Sequence, residues 1–289
     1  MNNKLKVNLY SFLTVFLWAS AFPFTKVIGD QLSPNVLGFL RCFIAALLLL
    51  VISKVTHMRK PFRKKDILYF AAAGATGFSL YLVFFNTGLL TLTSATSSIM
   101  TAVAPILTAI AAYKLYKEKI NIIGWICIAL SFAGAAILLF WNGILSINIG
   151  IFWALASSVV FAAYNILNRK LSSKGYTSME IVTYSVLCGT ILLLPFLPQT
   201  VSQMAAADPV VIAIVIYLGI MPSAVSYLLW SKGIALAERT SEATNYIFII
   251  PLLSTVMAFL MLHEVPDLGT FIGGAVIIAS VVVFSIKGK

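Results

Sequence analysis

The sequence predicts an all-α integral membrane protein in which ten transmembrane helices form two five-helix repeats of opposite orientation. Three observations predict this class. The composition is 61% hydrophobic and only 10% charged, whereas soluble domains carry roughly 25% charged residues. The apolar residues fall in runs of about 20, a length that crosses about 30 Å of hydrocarbon. Residues also recur at a spacing of 146 positions, about half of the 289-residue chain.

Apolar runs joined by short polar connections account for almost the whole chain. Within lipid every backbone polar group must be bonded internally, which favours a helix for each run. We place the predicted helices near 7–28, 36–54, 66–85, 93–113, 120–140, 147–168, 178–197, 209–230, 240–260 and 267–286. Nothing between them resembles a soluble domain, so we expect one integral membrane unit.

The positions of the basic residues predict the orientation of the helices, because Lys and Arg concentrate in cytoplasmic loops. With the N-terminus inside, 18 of the 20 basic residues lie on the cytoplasmic side, and the exceptions are Lys26 and Arg41. Ten crossings then place the C-terminus in the cytoplasm as well. The net charge of +11 is therefore predicted to reflect topology and contact with anionic lipid, not nucleic-acid binding.

The 146-residue spacing aligns residue types that are rare in membrane helices. Pro105 meets Pro251, and Glu118 meets Glu264. The same register aligns Tyr81 with Tyr227, Ser94 with Thr240, and Ser98 with Thr244. We therefore predict duplicated repeats over residues 1–146 and 147–289. Because five is an odd number, the second repeat starts on the outer side and is inverted, which predicts a transporter that works by alternating access about a central cavity.

Two segments carry a family resemblance, APILTAIAAYKLYKEKINIIGW and IPLLSTVMAFLMLHEVPDLGTFIGG. Each has a proline-bearing apolar helix that closes on an acid before a Gly-containing span, which resembles the EamA-type repeat of the drug/metabolite transporter (DMT) superfamily. The segment FLWASAFPFTKVIGDQLSPNVLGFLRCFIAALLLL is similar to the opening of that repeat. The resemblance covers essentially the whole chain, twice, and implies transport of small organic metabolites. One departure is Leu187, which stands where the second repeat would match Arg41.

Prolines within the predicted helices indicate where the backbone can flex, since each leaves a carbonyl four residues earlier without its amide partner. The candidate flex points are Pro23, Pro105, Pro222 and Pro251. The alternative is that they only bend helices for packing. The resemblance implies that helices 3 and 6 join the proline-bearing helices 1, 4, 8 and 9 around the cavity.

Polar and aromatic side chains in the same helices predict a substrate-binding site. A group that can hydrogen-bond is unsatisfied against lipid, so we expect such groups to face protein or a wet cavity. The candidates are Trp18, Tyr81, Ser97, Thr101, Tyr164, Asn165, Tyr227, Asn245 and Tyr246. Packing between helices is the alternative for the small hydroxyl residues. Rings and uncharged donors together suit a neutral or zwitterionic organic solute.

Four charged residues at or near the helix ends have separate interpretations. Arg41 can pair with Asp30 or attract a substrate carboxylate, and the sequence does not decide between the two. Lys26, near the outer end of the first helix, can extend its ammonium to water. Glu118 and Glu264 fall at opposite membrane faces, which predicts gate contacts or helix-end contacts rather than one shared proton site.

The sequence favours transport over the other classes considered. With two His and no HExxH or GxSxG motif, it offers no catalytic constellation, so we predict no enzyme activity, no metal site and no cofactor. We expect export of amino acids or related neutral or zwitterionic compounds. The alternatives are metabolite uptake, efflux of toxic or cationic compounds and, outside transport, a membrane receptor or scaffold.

The predicted partners follow from this function. They are the small-molecule substrate, membrane lipid and, as a candidate coupling ion, protons. We expect a monomer or a homodimer. The small-residue faces of helices 5 and 10 let helices approach closely, and contact within the chain is favoured over dimerisation for them. The expected location is the plasma membrane of a bacterium, as a multi-pass protein.

Overall fold

The computed structural model describes residues 3–55, 63–117, 119–141, 148–238 and 243–288. No strand occurs in these ranges. In the first half of the chain the helical segments are α1 (Asn3–Val27), α2 (Pro34–Val55), α3 (Lys64–Leu89), α4 (Ser94–Tyr116) and α5 (Ile122–Phe140). In the second half they are α6 (Ile149–Ser173), α7 (Ser178–Ala205), α8 (Pro209–Leu236), α9 (a 3-10 turn Asn245–Ile249 followed by helix Ile250–Leu262) and α10 (Leu268–Lys287).

Most of these helices are suited to a bilayer. Within the described ranges seven of them, α1 to α4 and α6 to α8, are long and apolar enough to cross a membrane. Shorter apolar segments lie over Ile122–Leu138, Tyr246–Leu262 and Leu268–Phe284. Large apolar side chains cover the outer surface, as with Leu68 (78% exposed) and Leu260 (69%). The prediction of an all-helical membrane protein is confirmed, while the count of ten crossings and the side of each terminus stay predictions.

The helix α7 extends beyond its predicted end at residue 197. A 3-10 turn at Leu194–Phe196 leads into a further helix, Leu197–Ala205. Pro195 and Pro198 each fall in the first turn of one of these pieces. A proline is tolerated there because the first-turn N–H has no intrahelical partner to lose.

A π-helical turn interrupts α3 at Ala75–Ser79, and another interrupts α8 at Met221–Val225. The two turns are 146 residues apart, the spacing that aligns the sequence with itself. Pro222 lies in the second turn, but the first contains no proline. Such turns leave backbone groups outside the regular helical ladder, and they are frequent at functional sites.

The same spacing relates α4 and α9. α4 breaks after Thr101 and resumes as Ala104–Tyr116, with Pro105 in the first turn of the resumed helix. The helical part of α9 is Ile250–Leu262 and has Pro251 at the matching position. Each of these helices ends at a left-handed residue, Lys117 (φ 56°) or His263 (φ 54°).

The helices pack in a reciprocal pattern. α1 contacts α8 and α9, and α6 contacts α3 and α4. In addition α2 packs on α7, α4 on α9, and α5 on α10. The α5–α10 contact depends on glycine, because a Cβ on Gly134 or Gly273 would lie 2.9 Å from the carbonyl oxygen of the other. The small-residue faces of α5 and α10 therefore contact each other within one chain.

One end of the bundle, called the Lys26 end, is joined by a carboxylate. Glu264 follows α9 and forms an ion pair with Lys26, the second-last residue of α1. The same carboxylate accepts a hydrogen bond from the backbone N–H of Ser94 at 2.9 Å, and Lys26 also donates to the Leu92 carbonyl at 2.9 Å. The ends of α1, α4 and α9 are therefore held together.

The opposite end of α3 lies at what we call the Lys174 end. Lys174, just after α6, forms an ion pair with Asp66, which also accepts the Tyr176 hydroxyl at 2.8 Å. The hydrogen bond to Asp66 raises the pKa of Lys174 above its ordinary value. This contact ties the start of α3 to the α6–α7 connection.

Candidate functional site

A small cavity lies among α1, α2, α3, α4, α6, α8 and α9, and we call it the central cavity. Its volume of ≈ 10 Å³ is about enough for a single water molecule. The walls are therefore closed around it in this conformation. Five of the predicted site residues line it: Trp18, Arg41, Tyr81, Thr101 and Tyr227.

Aromatic rings form most of the wall. The Trp18 ring centroid lies 5.3 Å from that of Phe161 and 5.3 Å from that of Tyr227. The Tyr81 ring lies 5.1 Å from Phe161 and 5.8 Å from Phe85. Phe85 and Phe161 are not among the site residues that the sequence predicts, because a phenylalanine in an apolar helix is usually a packing residue. The only available signal was the four-residue spacing of Tyr81 and Phe85, which places both on one helix face.

Arg41 is 2% exposed, and among the described residues it is the one charged side chain that lines the cavity. Its Nε donates to the Ser223 hydroxyl at 3.1 Å, and its guanidinium carbon lies 5.8 Å from the centre of the Phe85 ring. Its Nη1 is buried and has no hydrogen-bond partner among the described residues. Of the two partners proposed for Arg41, Asp30 makes no ion pair with it, nor does any other carboxylate among the described residues.

Two of the cavity's aromatic residues hold the interrupted parts of neighbouring helices. The Trp18 indole N–H donates to the Pro222 carbonyl at 3.0 Å, in the π turn of α8. The Tyr227 hydroxyl donates to the Gly77 carbonyl at 2.6 Å, in the π turn of α3. Two rings that would contact a solute thus also satisfy carbonyl groups at the two π turns.

Other candidate residues are occupied by contacts elsewhere. The Asn165 side chain accepts from the Trp230 indole at 2.9 Å and donates to the Thr108 hydroxyl at 3.3 Å. The Tyr164 hydroxyl accepts from Asn168 at 3.2 Å. Neither Asn165 nor Tyr164 is among the residues that line the cavity, and both are fully buried.

The remaining predicted residues have varied positions. Ser97 is buried and lies one helical turn before Thr101. The Thr101 hydroxyl donates to the Ser97 carbonyl at 3.1 Å. Tyr246 is partly exposed. The side chain of Asn245 and the whole of Glu118 lie outside the described residues.

The four predicted flex points differ in their backbone setting. α1 continues as a helix through Pro23. Pro105 lies where α4 resumes as a helix, and Pro222 lies in the π turn of α8. Pro251 lies just after the 3-10 turn of α9. Motion at any of the four stays a prediction.

A bundle of apolar helices, interrupted next to a buried cavity that holds an arginine, is typical of membrane transport proteins. The sequence profile of the EamA-like transporter family matches residues 5–140 and again 148–286. The chain therefore belongs to the EamA-like transporter family, and it is a multi-pass membrane protein. This confirms the resemblance to EamA-type members of the DMT superfamily.

Several proteins are similar over nearly their full length. One from Streptantibioticus cattleyicolor, named "Probable terminal-alkyne amino-acid exporter", is 32% identical over 94% of this chain and 91% of its own. An uncharacterized transporter of Bacillus subtilis is 30% identical over 93% of this chain and 87% of its own. A crystal structure of a 16% identical protein aligns over 98% of this chain and 97% of its own, with a TM-score of 0.67. That likeness supports the fold alone.

Proposed function

We propose that this transporter exports amino acids or closely related zwitterionic metabolites by alternating access about the central cavity. One observation carries the proposal: a buried arginine, without a carboxylate partner among the described residues, lies in a cavity walled by aromatic rings. A buried unpaired charge is costly, and a ligand carboxylate would relieve that cost. The similarity to a protein named as an amino-acid exporter supports the same substrate class.

Each part of the cavity would contact a different part of the substrate. The Arg41 guanidinium would bind the carboxylate through Nη1, which has no partner among the described residues, in a charge-assisted hydrogen bond. The faces of Trp18 and Tyr81 would pack against the ammonium or the apolar side chain, since aromatic rings attract cations and bury apolar area. Thr101 would add a hydroxyl. No carboxylate lines the described wall, so efflux of cations gains no support from it.

The proposed architecture has two inverted five-helix repeats, with ten crossings and both termini in the cytoplasm. The two profile matches and the 146-residue spacing of the π turns, prolines and left-handed residues support duplication. The reciprocal helix contacts support a two-fold relation between the halves. The distribution of basic residues supports the orientation, with the Lys26 end outside and the Lys174 end in the cytoplasm.

Transport then requires one end to open at a time. A volume of ≈ 10 Å³ cannot hold an amino acid, so the structure fits an occluded conformation. We assign gate contacts to the ion pair of Lys26 with Glu264 and to that of Lys174 with Asp66. Breaking the first pair would open the outer route, and breaking the second would open the cytoplasmic route.

The test is flux in proteoliposomes that contain the purified full chain. Labelled neutral amino acids, nucleobases and cationic dyes are screened with and without a pH gradient, which also reports proton coupling. We expect amino-acid flux that Arg41→Gln reduces at least tenfold, since losing one partner of a buried charge pair typically costs about 2–5 kcal/mol. Lys54→Gln, which removes an exposed charge from the same helix, is the matched control and should leave flux unchanged. Robust dye flux without flux of any amino acid would overturn the proposal.

A further inference from the structure

A second cavity lies at the Lys26 end, between the α1–α2 connection and the last turn of α3. Its volume of ≈ 150 Å³ is far larger than that of the central cavity, and no described residue lines both cavities. Its polar lining consists of Thr25, Lys26, Asp30 and Asn86. We call it the Lys26-end cavity.

Two buried polar atoms in its lining have no hydrogen-bond partner in the part of the chain that the structure describes. They are the Thr25 hydroxyl oxygen and the Asn86 side-chain oxygen, and both residues are 2% exposed. The Asn86 amide nitrogen donates to the Pro34 carbonyl at 3.1 Å, which identifies the oxygen as the unused atom. Buried polar groups in folded proteins nearly always have a partner, so these two atoms beside one cavity are available to accept hydrogen bonds from a bound solute.

The charges around the cavity indicate which ligand fits. Asp30 is exposed at its rim, and its carboxylate forms no ion pair or hydrogen bond with another described residue. Lys26 is already occupied by Glu264 and by the Leu92 carbonyl. The groups that remain are a carboxylate, an amide oxygen and a hydroxyl, all of which can accept. A ligand with several N–H donors and a positive charge therefore matches them.

We propose that the Lys26-end cavity is a second binding site, which takes the ammonium group of a small organic solute. The identity of this solute rests on the proposed function: if the protein exports amino acids, the ammonium group belongs to a substrate that is leaving the protein. Asp30 would neutralise the charge, and Asn86 and Thr25 would accept two of its N–H groups. An amine that is never transported has the same chemistry, so the test includes both sources.

The experiment follows protection of a cysteine in the cavity wall. Leu90→Cys is placed in a full-length background without the three native cysteines, and its modification by a thiol reagent is timed. Methylammonium and alanine are compared with tetramethylammonium, which has the charge but no N–H donor, and with acetate. We expect methylammonium to slow labelling at least threefold, and tetramethylammonium and acetate to have no effect. Protection by alanine as well would identify a zwitterion site, and its absence would restrict the site to simple amines.

Substitutions then tie the protection to the proposed contacts. Asp30→Asn and Thr25→Val should each raise the half-protecting methylammonium concentration at least tenfold. Asp30 is exposed, so its variant keeps the fold even if Thr25→Val does not. Arg41→Gln should leave protection unchanged, which separates this site from the central cavity. Equal protection by methylammonium and tetramethylammonium, or protection that survives Asp30→Asn, would overturn the proposal whether or not amino acids are transported.

Discussion

The Lys26 ammonium and the Glu264 carboxylate, 238 positions apart in the chain, form an ion pair between the last turn of α1 and the α9–α10 connection. Glu264 also accepts from the Ser94 N–H at the start of α4, where a helix N-terminus favours a negative charge. The side chains are 29% and 15% exposed, so the pair is only partly screened by water. One acidic side chain thus joins three helix ends.

Removing the charge of Glu264 should make the Lys26 end open more readily. Glu264→Gln keeps an oxygen for the Ser94 N–H but loses the ion pair, which we expect to be worth about 1 kcal/mol, or about fivefold in the open population. The measurement is the labelling of Ala21→Cys in the central cavity by a membrane-impermeant thiol reagent added from outside. The rate should rise by that factor.

The control for this prediction is a double-mutant cycle. Lys26→Met should raise the labelling rate about as much as Glu264→Gln, and the two together should add little more, because they remove the same contact. Fully additive effects, or no change in either single variant, would show that the pair does not hold this end closed.

Tyr81 is expected to act through its ring. It is partly exposed, contacts Phe85 and Phe161, and its hydroxyl makes no hydrogen bond with any described residue. Tyr81→Ala should lower amino-acid flux several-fold while the protein still folds, and Tyr81→Phe should stay within twofold of the wild type. The measurement is initial flux in proteoliposomes at equal protein content. Equal losses in both variants would instead assign the role to the hydroxyl.

Asn245→Ala should lower the flux as well. Asn245 is the first residue of the 3-10 turn in α9. The helix that follows this turn has Pro251 in its first turn. A polar amide in an interrupted membrane helix is expected to face protein or a cavity. Flux and the thermal unfolding midpoint are measured together. Unchanged flux at an unchanged midpoint would remove Asn245 from the candidate site.

The fold class could be predicted because lipid imposes simple rules on length, polarity and loop charge. Those rules do not involve contacts between distant residues. The π turn at Ala75–Ser79 contains no proline, so the sequence has no signal that predicts it. The ion pair of Lys26 with Glu264 joins opposite halves of the chain and depends on how they pack. For Arg41 the sequence allows two partners, Asp30 or a substrate carboxylate. The structure places Asp30 and Arg41 in the walls of different cavities.

Asn165 should act chiefly on stability. Asn165→Leu would leave the Trp230 indole N–H without its acceptor, which costs about 1–3 kcal/mol for a buried group. We expect a lower thermal unfolding midpoint in detergent and an unchanged KM for the substrate. In a Trp230→Phe background the same substitution should cost less, because the donor is gone. A raised KM at unchanged stability would return Asn165 to the substrate site.

Close approach between α3 and α7 should make Gly74 intolerant of a methyl group. A Cβ at Gly74 would lie 2.5 Å from the Ser185 carbonyl oxygen and 2.7 Å from the Gly189 nitrogen, both backbone atoms that cannot move independently. Forcing a methyl group into a packed contact typically costs about 1–3 kcal/mol, so Gly74→Ala should lower the unfolding midpoint. Gly38→Ala is the matched control, because its nearest neighbour would be a Val83 methyl at 3.6 Å, an ordinary contact. If both variants unfold at the wild-type temperature, α3 and α7 do not pack this closely in the membrane protein.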